Sequence, residues 1–189
     1  MVRWWWPVAA LSAMTLLGFA VGRGSTPPDD WFQDLGRTHP LPGRLLVFTD
    51  GRVTLTLCAV LLAVAVYRQR LRLAAVAAAA PLVGVLLSRL AKRVFGREKD
   101  GALAYPSGHT TLAVIVFGLA VLIVGATTWV LVAAVVATVL GVLGQAVSYH
   151  YFTDAVGAVF LATAVLCVAV RAAGLDRCQP RCDVGHRSG

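Results

Sequence analysis

Two short polar segments carry the residues whose types and spacing could perform chemistry. His150 is followed four residues later by Asp154, and His109 closes the tripeptide Ser107-Gly108-His109. A carboxylate beside one imidazole nitrogen fixes the tautomer and leaves the other nitrogen as a nucleophile. A second histidine could donate a proton to a leaving oxygen as a general acid. The two segments therefore predict phosphoryl transfer centred on histidine, and a structural ion pair between His150 and Asp154 is the plainer alternative.

The residues around His109 also predict an anion-binding site. Ser107 is a typical N-cap, and the N–H groups of the following helical turn lie at the positive end of the helix dipole. Gly108 would let a phosphate approach the backbone closely. The chain has only two lysines, Lys92 and Lys99, and both fall in the predicted loop before this segment. A plain helix start, or a loop that binds lipid head groups, is the alternative for these residues.

The composition indicates an integral membrane protein. Of the 189 residues, 58% are hydrophobic and 14% are charged, with a mean hydropathy of +0.76. The net charge is +8, but the charges lie between apolar runs, which suits membrane orientation and anionic lipids rather than nucleic acid. Cys58 and Cys167 fall within apolar runs as small buried residues. The remaining cysteines and a nearby histidine match no strong zinc pattern and favour an ordinary polar tail: Cys178, Cys182 and His186.

Six apolar segments of roughly membrane-spanning length can be drawn along the chain. They cover about residues 4–21, 46–67, 73–90, 110–126, 129–147 and 155–172. The first begins with Trp4-Trp5-Trp6, which is typical of an interfacial anchor, so we interpret it as a span rather than a signal peptide. Segment 23–52 is rich in Pro and Gly and predicts a short amphipathic helix with turns along the outer membrane surface.

The basic residues predict the orientation of these spans. With six spans, the termini and the connections 68–72 and 126–128 share one side, which holds eight arginines. The opposite side holds nine lysines and arginines, five of them in the cluster 89–99. When that cluster is set aside as functional, the positive-inside rule places both termini and a polar tail of residues 176–189 in the cytoplasm. The two polar segments then face outward.

The polar segments resemble the signature of the type 2 phosphatidic acid phosphatase superfamily, the lipid phosphate phosphatases. That signature reads Lys-x6-Arg-Pro, then Pro-Ser-Gly-His, then Ser-Arg-x5-His-x3-Asp. Here Lys92 matches the first lysine, 106–109 match the second motif in full, and His150 and Asp154 end the third. The resemblance covers about residues 92–154 by motif and nearly the whole chain by layout. It implies an all-α membrane protein with six transmembrane helices in a bundle, built on a phosphatidic acid phosphatase type 2 or haloperoxidase-like core.

The resemblance also implies roles for individual residues. His150 is the expected nucleophile that forms a phosphohistidine, Asp154 orients it, and His109 protonates the leaving alcohol. No metal or other cofactor is implied, because the positive cluster and the helix terminus supply the charge stabilisation. The expected phosphate ligands are Lys92, Lys99, Ser107, the Gly108 backbone and Arg97.

The sequence departs from the family pattern at the phosphate-binding arginines. Lys99 stands where an arginine belongs and Asp100 where a proline belongs. Leu143 and Gly144 stand where the Ser-Arg pair of the third motif belongs. Arginine binds phosphate as a bidentate fork and lysine only as a point charge, so these changes are expected to weaken phosphate binding. The candidates to fill the gap are Arg97, Arg93 and, more weakly, Gln145.

Three functions are compatible with these motifs. The first is a lipid-phosphate phosphatase acting on a polyprenyl or glycerolipid phosphate or diphosphate. The composition, rich in Ala, Val, Arg and Gly, favours a high-GC bacterium, its inner membrane and cell-envelope lipid metabolism. The second is a head-group phosphotransferase, because the same residues also look like the sphingomyelin-synthase relatives. The third is a degenerate member that binds lipids without catalysis. In each case the expected partners are a lipid phosphate and membrane lipids, and not nucleic acid.

Overall fold

A computed structural model describes residues 5–39 and 41–175, and their backbone is almost entirely helical. The predicted polar tail, 176–189, lies outside the described residues, and so do Cys178, Cys182 and His186 within it. Two very short strands, β1 (Glu98–Lys99) and β2 (Ala102–Leu103), form an antiparallel hairpin. The helical elements are α1 (Trp5–Val21), α2 (Pro27–Thr38), a 3-10 segment (Leu41–Thr49), α3 (Gly51–Tyr67), α4 (Leu71–Phe95), α5 (Gly108–Val124), α6 (Thr128–Ala146) and α7 (Phe152–Ala172).

Within the described residues, four helical stretches are long and apolar enough to cross a membrane. They are Gly43–Tyr67, which joins the 3-10 segment to α3, together with α4, α6 and α7. The remaining apolar helices, α1 and α5, have 17 residues each, or about 25 Å of helix at 1.5 Å per residue. The all-α membrane character is thus confirmed, while the count of six spans stays a prediction.

The helix boundaries agree with the apolar segments except at the end of α4. The sequence predicts a loop from about residue 91, but α4 continues to Phe95 and includes Lys92 in its last turn. Basic side chains favour the negative end of the helix dipole, and Gly96 then ends the helix in the left-handed conformation, with φ of 59°. Lys92 is therefore a helical residue, and the true connection is the short hairpin that follows.

Helix α7 lies at the centre of the bundle and packs against α1, α4, α5 and α6. Small residues let the helices approach, and its buried face includes Ala155, Ala158 and Ala162. Tyr105, in the connection between the hairpin and α5, is fully buried, and its hydroxyl donates to the carbonyl of Met14 in α1. The segment that leads into Ser107 is therefore anchored inside the bundle.

Helix α2 confirms the amphipathic helix predicted within segment 23–52, and it docks onto the start of α7. Its first turn is capped by Asp29, which accepts hydrogen bonds from the backbone N–H and the hydroxyl of Thr26 at 3.0 and 2.7 Å. The Phe32 ring stacks on that of Phe152, with 4.6 Å between centroids. One face of α2 is thus buried against the turn that carries His150.

Candidate active site

A cavity of about 450 Å³ brings together the two histidines that lie far apart in the sequence. His109 enters it from the first turn of α5, and His150 enters it from the turn between α6 and α7. The other lining residues come from the 3-10 segment, the start of α3 and the end of α6: Leu46, Thr49, Asp50, Gly51, Gln145 and Tyr149. The ends of several apolar helices therefore meet at one cavity that contains both histidines.

Ser107 caps α5 and fixes the direction of its first turn. Its hydroxyl oxygen accepts hydrogen bonds from the N–H and hydroxyl of Thr110 at 3.4 and 3.1 Å, and its own N–H donates to the Asp154 carbonyl at 3.1 Å. The Ser107 side chain is fully buried, so it serves the helix rather than the cavity. The N–H groups of Gly108 and His109 are the first two of the helix and have no intrahelical partner. They are therefore free to bind an anion, as the sequence predicts.

His150 and Asp154 lie on opposite sides of the point where α7 begins. His150 is in the preceding turn, and Asp154 is the third residue of the helix. Their Nδ1 and Oδ2 atoms are 3.5 Å apart, although no hydrogen bond forms to Nδ1 from any described residue. Such contacts are often long before a substrate binds and shorten in the reacting complex. The His150 side chain is 13% exposed and that of Asp154 is fully buried.

Lys92, in the last turn of α4, lies beside the site. Its ammonium donates a 2.6 Å hydrogen bond to the carbonyl of Leu103. It is close enough to interact electrostatically with both Asp154 and His109. Because an ammonium has three donors, Lys92 can keep the Leu103 contact and still bind an anion beside His109.

Lys99 lies on the other side of the His150 turn, away from the histidine cavity. Its ammonium donates to Gln33 Oε1 at 2.8 Å and to the Ser148 carbonyl at 3.1 Å. Gln33 in turn donates to the carbonyls of Ala146 and His150. Burial lowers the pKa of Lys99, partly offset by the carboxylates of Asp100, Asp154 and Asp29. In this geometry Lys99 supports the backbone that precedes His150 and does not line the cavity with the two histidines.

The expectation that Arg97 replaces a phosphate-binding arginine is wrong. Its side chain is fully buried, and its five N–H groups all donate to protein acceptors. Those acceptors are the Gly24 carbonyl, the Thr153 hydroxyl, Asp154 Oδ1 and Asp29 Oδ2. A guanidinium with every donor engaged and no exposed surface cannot also hold a substrate phosphate. Arg93, the other arginine candidate, is exposed on α4.

The structure leaves no room for a side chain at position 144, where the resemblance implies an arginine. A Cβ atom on Gly144 would lie 2.6 Å from the backbone carbon of Leu45 and 2.7 Å from the nitrogen of Leu46. The 3-10 segment therefore fills the space that a side chain would need. The next residue, Gln145, does line the cavity and donates from Nε2 to the Thr49 hydroxyl at 2.8 Å. Its buried Oε1 has no hydrogen-bond partner in the described part of the chain.

Asp29 is a residue of this site that sequence analysis missed. Its fully buried carboxylate pairs with Arg97 at 2.7 Å and accepts a 2.9 Å hydrogen bond from the backbone N–H of Thr153. The available signal was Thr26-Pro-Pro-Asp29, a helix start with an acidic third residue. That signal accounts for the cap but carries no information about the contact with Arg97. Among the described residues, no group of three or more His, Cys, Asp or Glu side chains is placed to hold a metal ion.

Acidification is expected to destabilise the fold through Asp29. Burial raises the pKa of this carboxyl, but hydrogen bonds from Thr153, Thr26 and Arg97 outweigh it and hold the pKa below the ordinary 3.8. A carboxyl with a depressed pKa stabilises the fold above its unfolded-state pKa, and this stabilisation is lost as the pH falls through the folded-state pKa. We therefore expect the midpoint temperature of unfolding in detergent to decrease as the pH is lowered below about 3.8. The decrease should be smaller in Asp29→Asn.

The matched control for this measurement is Asp34→Asn on the same helix. The Asp34 side chain is 71% exposed and its ion pair with Arg37 is at the surface, where such pairs contribute little. Asp34→Asn should keep the acid response of the wild type. If Asp29→Asn kept that response as well, the buried carboxylate would not be its source.

Comparison of the chain with known protein families, with curated proteins and with solved structures finds no match. The function must therefore be inferred from the residues of the cavity and their geometry.

Proposed function

We propose that this chain is a membrane lipid-phosphate phosphatase that hydrolyses a polyprenyl or glycerolipid phosphate or diphosphate through a phosphohistidine. The single observation that carries the proposal is the shared cavity of His109 and His150, with Asp154 3.5 Å behind His150. A nucleophile, a proton donor and an orienting carboxylate in one cavity are the groups that such a reaction needs. The resemblance of residues 92–154 to the lipid phosphate phosphatases supports the same reaction.

In the first half of the reaction, His150 attacks phosphorus. Asp154 favours the tautomer with its proton on Nδ1, which leaves the lone pair of Nε2 as the nucleophile. The Nε2–P bond forms as the bond from phosphorus to the lipid oxygen breaks. His109 gives its proton to that oxygen, so the lipid leaves as a neutral alcohol, or as a monophosphate from a diphosphate.

In the second half, water replaces the histidine on phosphorus. His109, now neutral, accepts a proton from the attacking water, and the P–N bond breaks. Inorganic phosphate leaves, and both histidines return to their starting states. The negative charge that develops on phosphate is met by the first N–H groups of α5 and by Lys92.

The position of the cavity supports a lipid substrate. It lies where the ends of apolar helices meet polar residues, so a head group could enter while the lipid tail remains among the apolar surfaces. The proposed location is the inner membrane of a bacterium, with the site on the outer face and both termini in the cytoplasm. The distribution of basic residues along the sequence supports that orientation when the cluster 89–99 is set aside as functional.

The test is an assay of purified protein in detergent with a panel of polyprenyl and glycerolipid phosphates and diphosphates. We expect phosphate release that persists in EDTA and needs no added alcohol. Release that requires a divalent metal, or the absence of release from every substrate, would contradict the proposal. Phosphate transfer that occurs only with an acceptor lipid would replace hydrolysis by the head-group transferase reaction.

A further inference from the structure

Arg97 ties together two carboxylates that come from distant parts of the chain. Its Nη2 is 2.7 Å from Asp29 Oδ2, and its Nη1 is 2.8 Å from Asp154 Oδ1. Nε and Nη2 also donate to the Gly24 carbonyl at 3.1 and 2.8 Å. The guanidinium is planar and rigid, so fixing one edge of it fixes the other. The position of Asp154 therefore depends on α2 and on Gly24, which lies just before α2.

The two oxygen atoms of Asp154 have different partners. Oδ1 accepts from Arg97, while Oδ2 accepts from the Tyr151 N–H at 3.2 Å and faces His150 Nδ1 at 3.5 Å. Turning the carboxylate away from His150 would break the hydrogen bond to Arg97. Loss of that bond would leave a buried negative charge without its main partner, which is costly. Arg97 thus holds Oδ2 in the direction of the histidine.

Helix α2 holds the same turn at a second point. Asp29 and Gln33 are four residues apart and lie on one face of this helix. Asp29 accepts a 2.9 Å hydrogen bond from the N–H of Thr153, which follows His150 in the chain. Gln33 donates to the carbonyl of His150 at 3.1 Å and also to that of Ala146. The backbone on both sides of the nucleophile is therefore fixed to α2.

We propose that Arg97 is a positioning residue for the reaction of His150: anchored by Asp29 of α2, it keeps the Asp154 carboxylate aimed at His150 Nδ1. This inference rests on the proposed function. It makes α2 a part of the reaction centre, although no residue of α2 lines the cavity that holds the two histidines. Arg97 acts through Asp154 and does not touch the substrate.

The first test is Arg97→Lys, which keeps the positive charge but loses the planar fork. We expect kcat to fall about 10²-fold, as for a misplaced reacting group, with KM unchanged because Arg97 does not contact the substrate. The matched control is Arg37→Lys, since the Arg37 side chain is 78% exposed and its ion pair is on the surface. This control should keep wild-type kcat and KM. A raised KM with unchanged kcat in Arg97→Lys would indicate substrate binding and overturn the inference.

The second test asks whether Arg97 acts through Asp154. In an Asp154→Asn background the carboxylate that Arg97 orients is gone, so Arg97→Lys should cause no further loss of kcat. If the kcat losses of the two single variants multiplied in the double variant, Arg97 would act independently of Asp154. Asp29→Asn, which preserves side-chain shape, should also lower kcat, whereas Asp34→Asn should not. This pair keeps the test decisive if Arg97→Lys fails to fold.

The outcomes separate this inference from the proposed function. Wild-type protein without His150-dependent phosphate release would overturn both. Wild-type activity that requires His150, combined with unchanged kcat in folded Arg97→Lys and Asp29→Asn, would overturn the inference alone.

Discussion

Replacing His150 with alanine is expected to reduce phosphate release by roughly 10⁴- to 10⁶-fold, the range found when a covalent nucleophile or its partner is removed. The loss should lie in kcat, because the role proposed for His150 is to form the bond to phosphorus. The same change should abolish a phosphoenzyme trapped by rapid quenching with labelled substrate. In the wild type that intermediate should be stable in alkali and labile in acid, as expected of phosphate on nitrogen rather than on a carboxylate or hydroxyl.

The control is His39→Ala, at a histidine that is exposed at the C-terminal end of α2. It should retain wild-type release and the trapped intermediate. Substantial activity in His150→Ala would remove the nucleophile from the mechanism. An intermediate that forms in His150→Ala but not in His109→Ala would instead exchange the roles of the two histidines.

Introducing at position 144 the arginine of the lipid phosphate phosphatase signature is expected to disrupt the fold rather than add a phosphate ligand. A Cβ there would already lie 2.6 to 2.9 Å from backbone atoms of Leu45 and Leu46, and these atoms cannot move aside as a flexible side chain could. Overpacking of this kind costs about 1–3 kcal/mol even for small additions. Gly144→Ala should therefore lower the unfolding midpoint in detergent, and Gly144→Arg should yield little folded protein.

The comparison for this series is Gly51→Ala, at the first residue of α3. A Cβ on Gly51 would meet no atom within 4 Å, and alanine is the better helix former. Its unfolding midpoint should equal or exceed that of the wild type. A folded Gly144→Arg protein with raised activity would mean that the 3-10 segment can move away from α6, contrary to the packing in this structure.

The helices were predictable because their apolar runs are long and the signals at their ends are local. Ser107 caps α5 as its residue type indicates, and α6 and α7 begin and end within a few residues of the predicted limits. The end of α4 differs from the prediction because the charges of Lys92 and Arg93 are typical of a loop in a hydropathy profile. In a helix they fall in the last turn, where a basic side chain is favoured.

The partners of the charged residues were not predictable in the same way. The cluster of lysines and arginines before residues 106–109 indicates where positive charge is concentrated, but not which carboxylate each cation contacts. Arg97 pairs with Asp29, 68 residues away, and Lys99 binds Gln33, 66 residues away. Those contacts depend on how α2 folds back onto α7. No local pattern in the sequence encodes that packing.

The buried pair of Asp29 and Arg97 also sets an order for biogenesis. Asp29 leaves the ribosome 68 residues before Arg97 and 124 residues before Thr153, so its carboxylate has neither of these partners while the first helices insert. Burying it alone would be costly, and α2 must therefore wait in water or among lipid head groups. It can dock only after α7 has been synthesised. Helix α2 is thus made early and docks late, and the nascent protein completes the contacts around Asp154 only in that step.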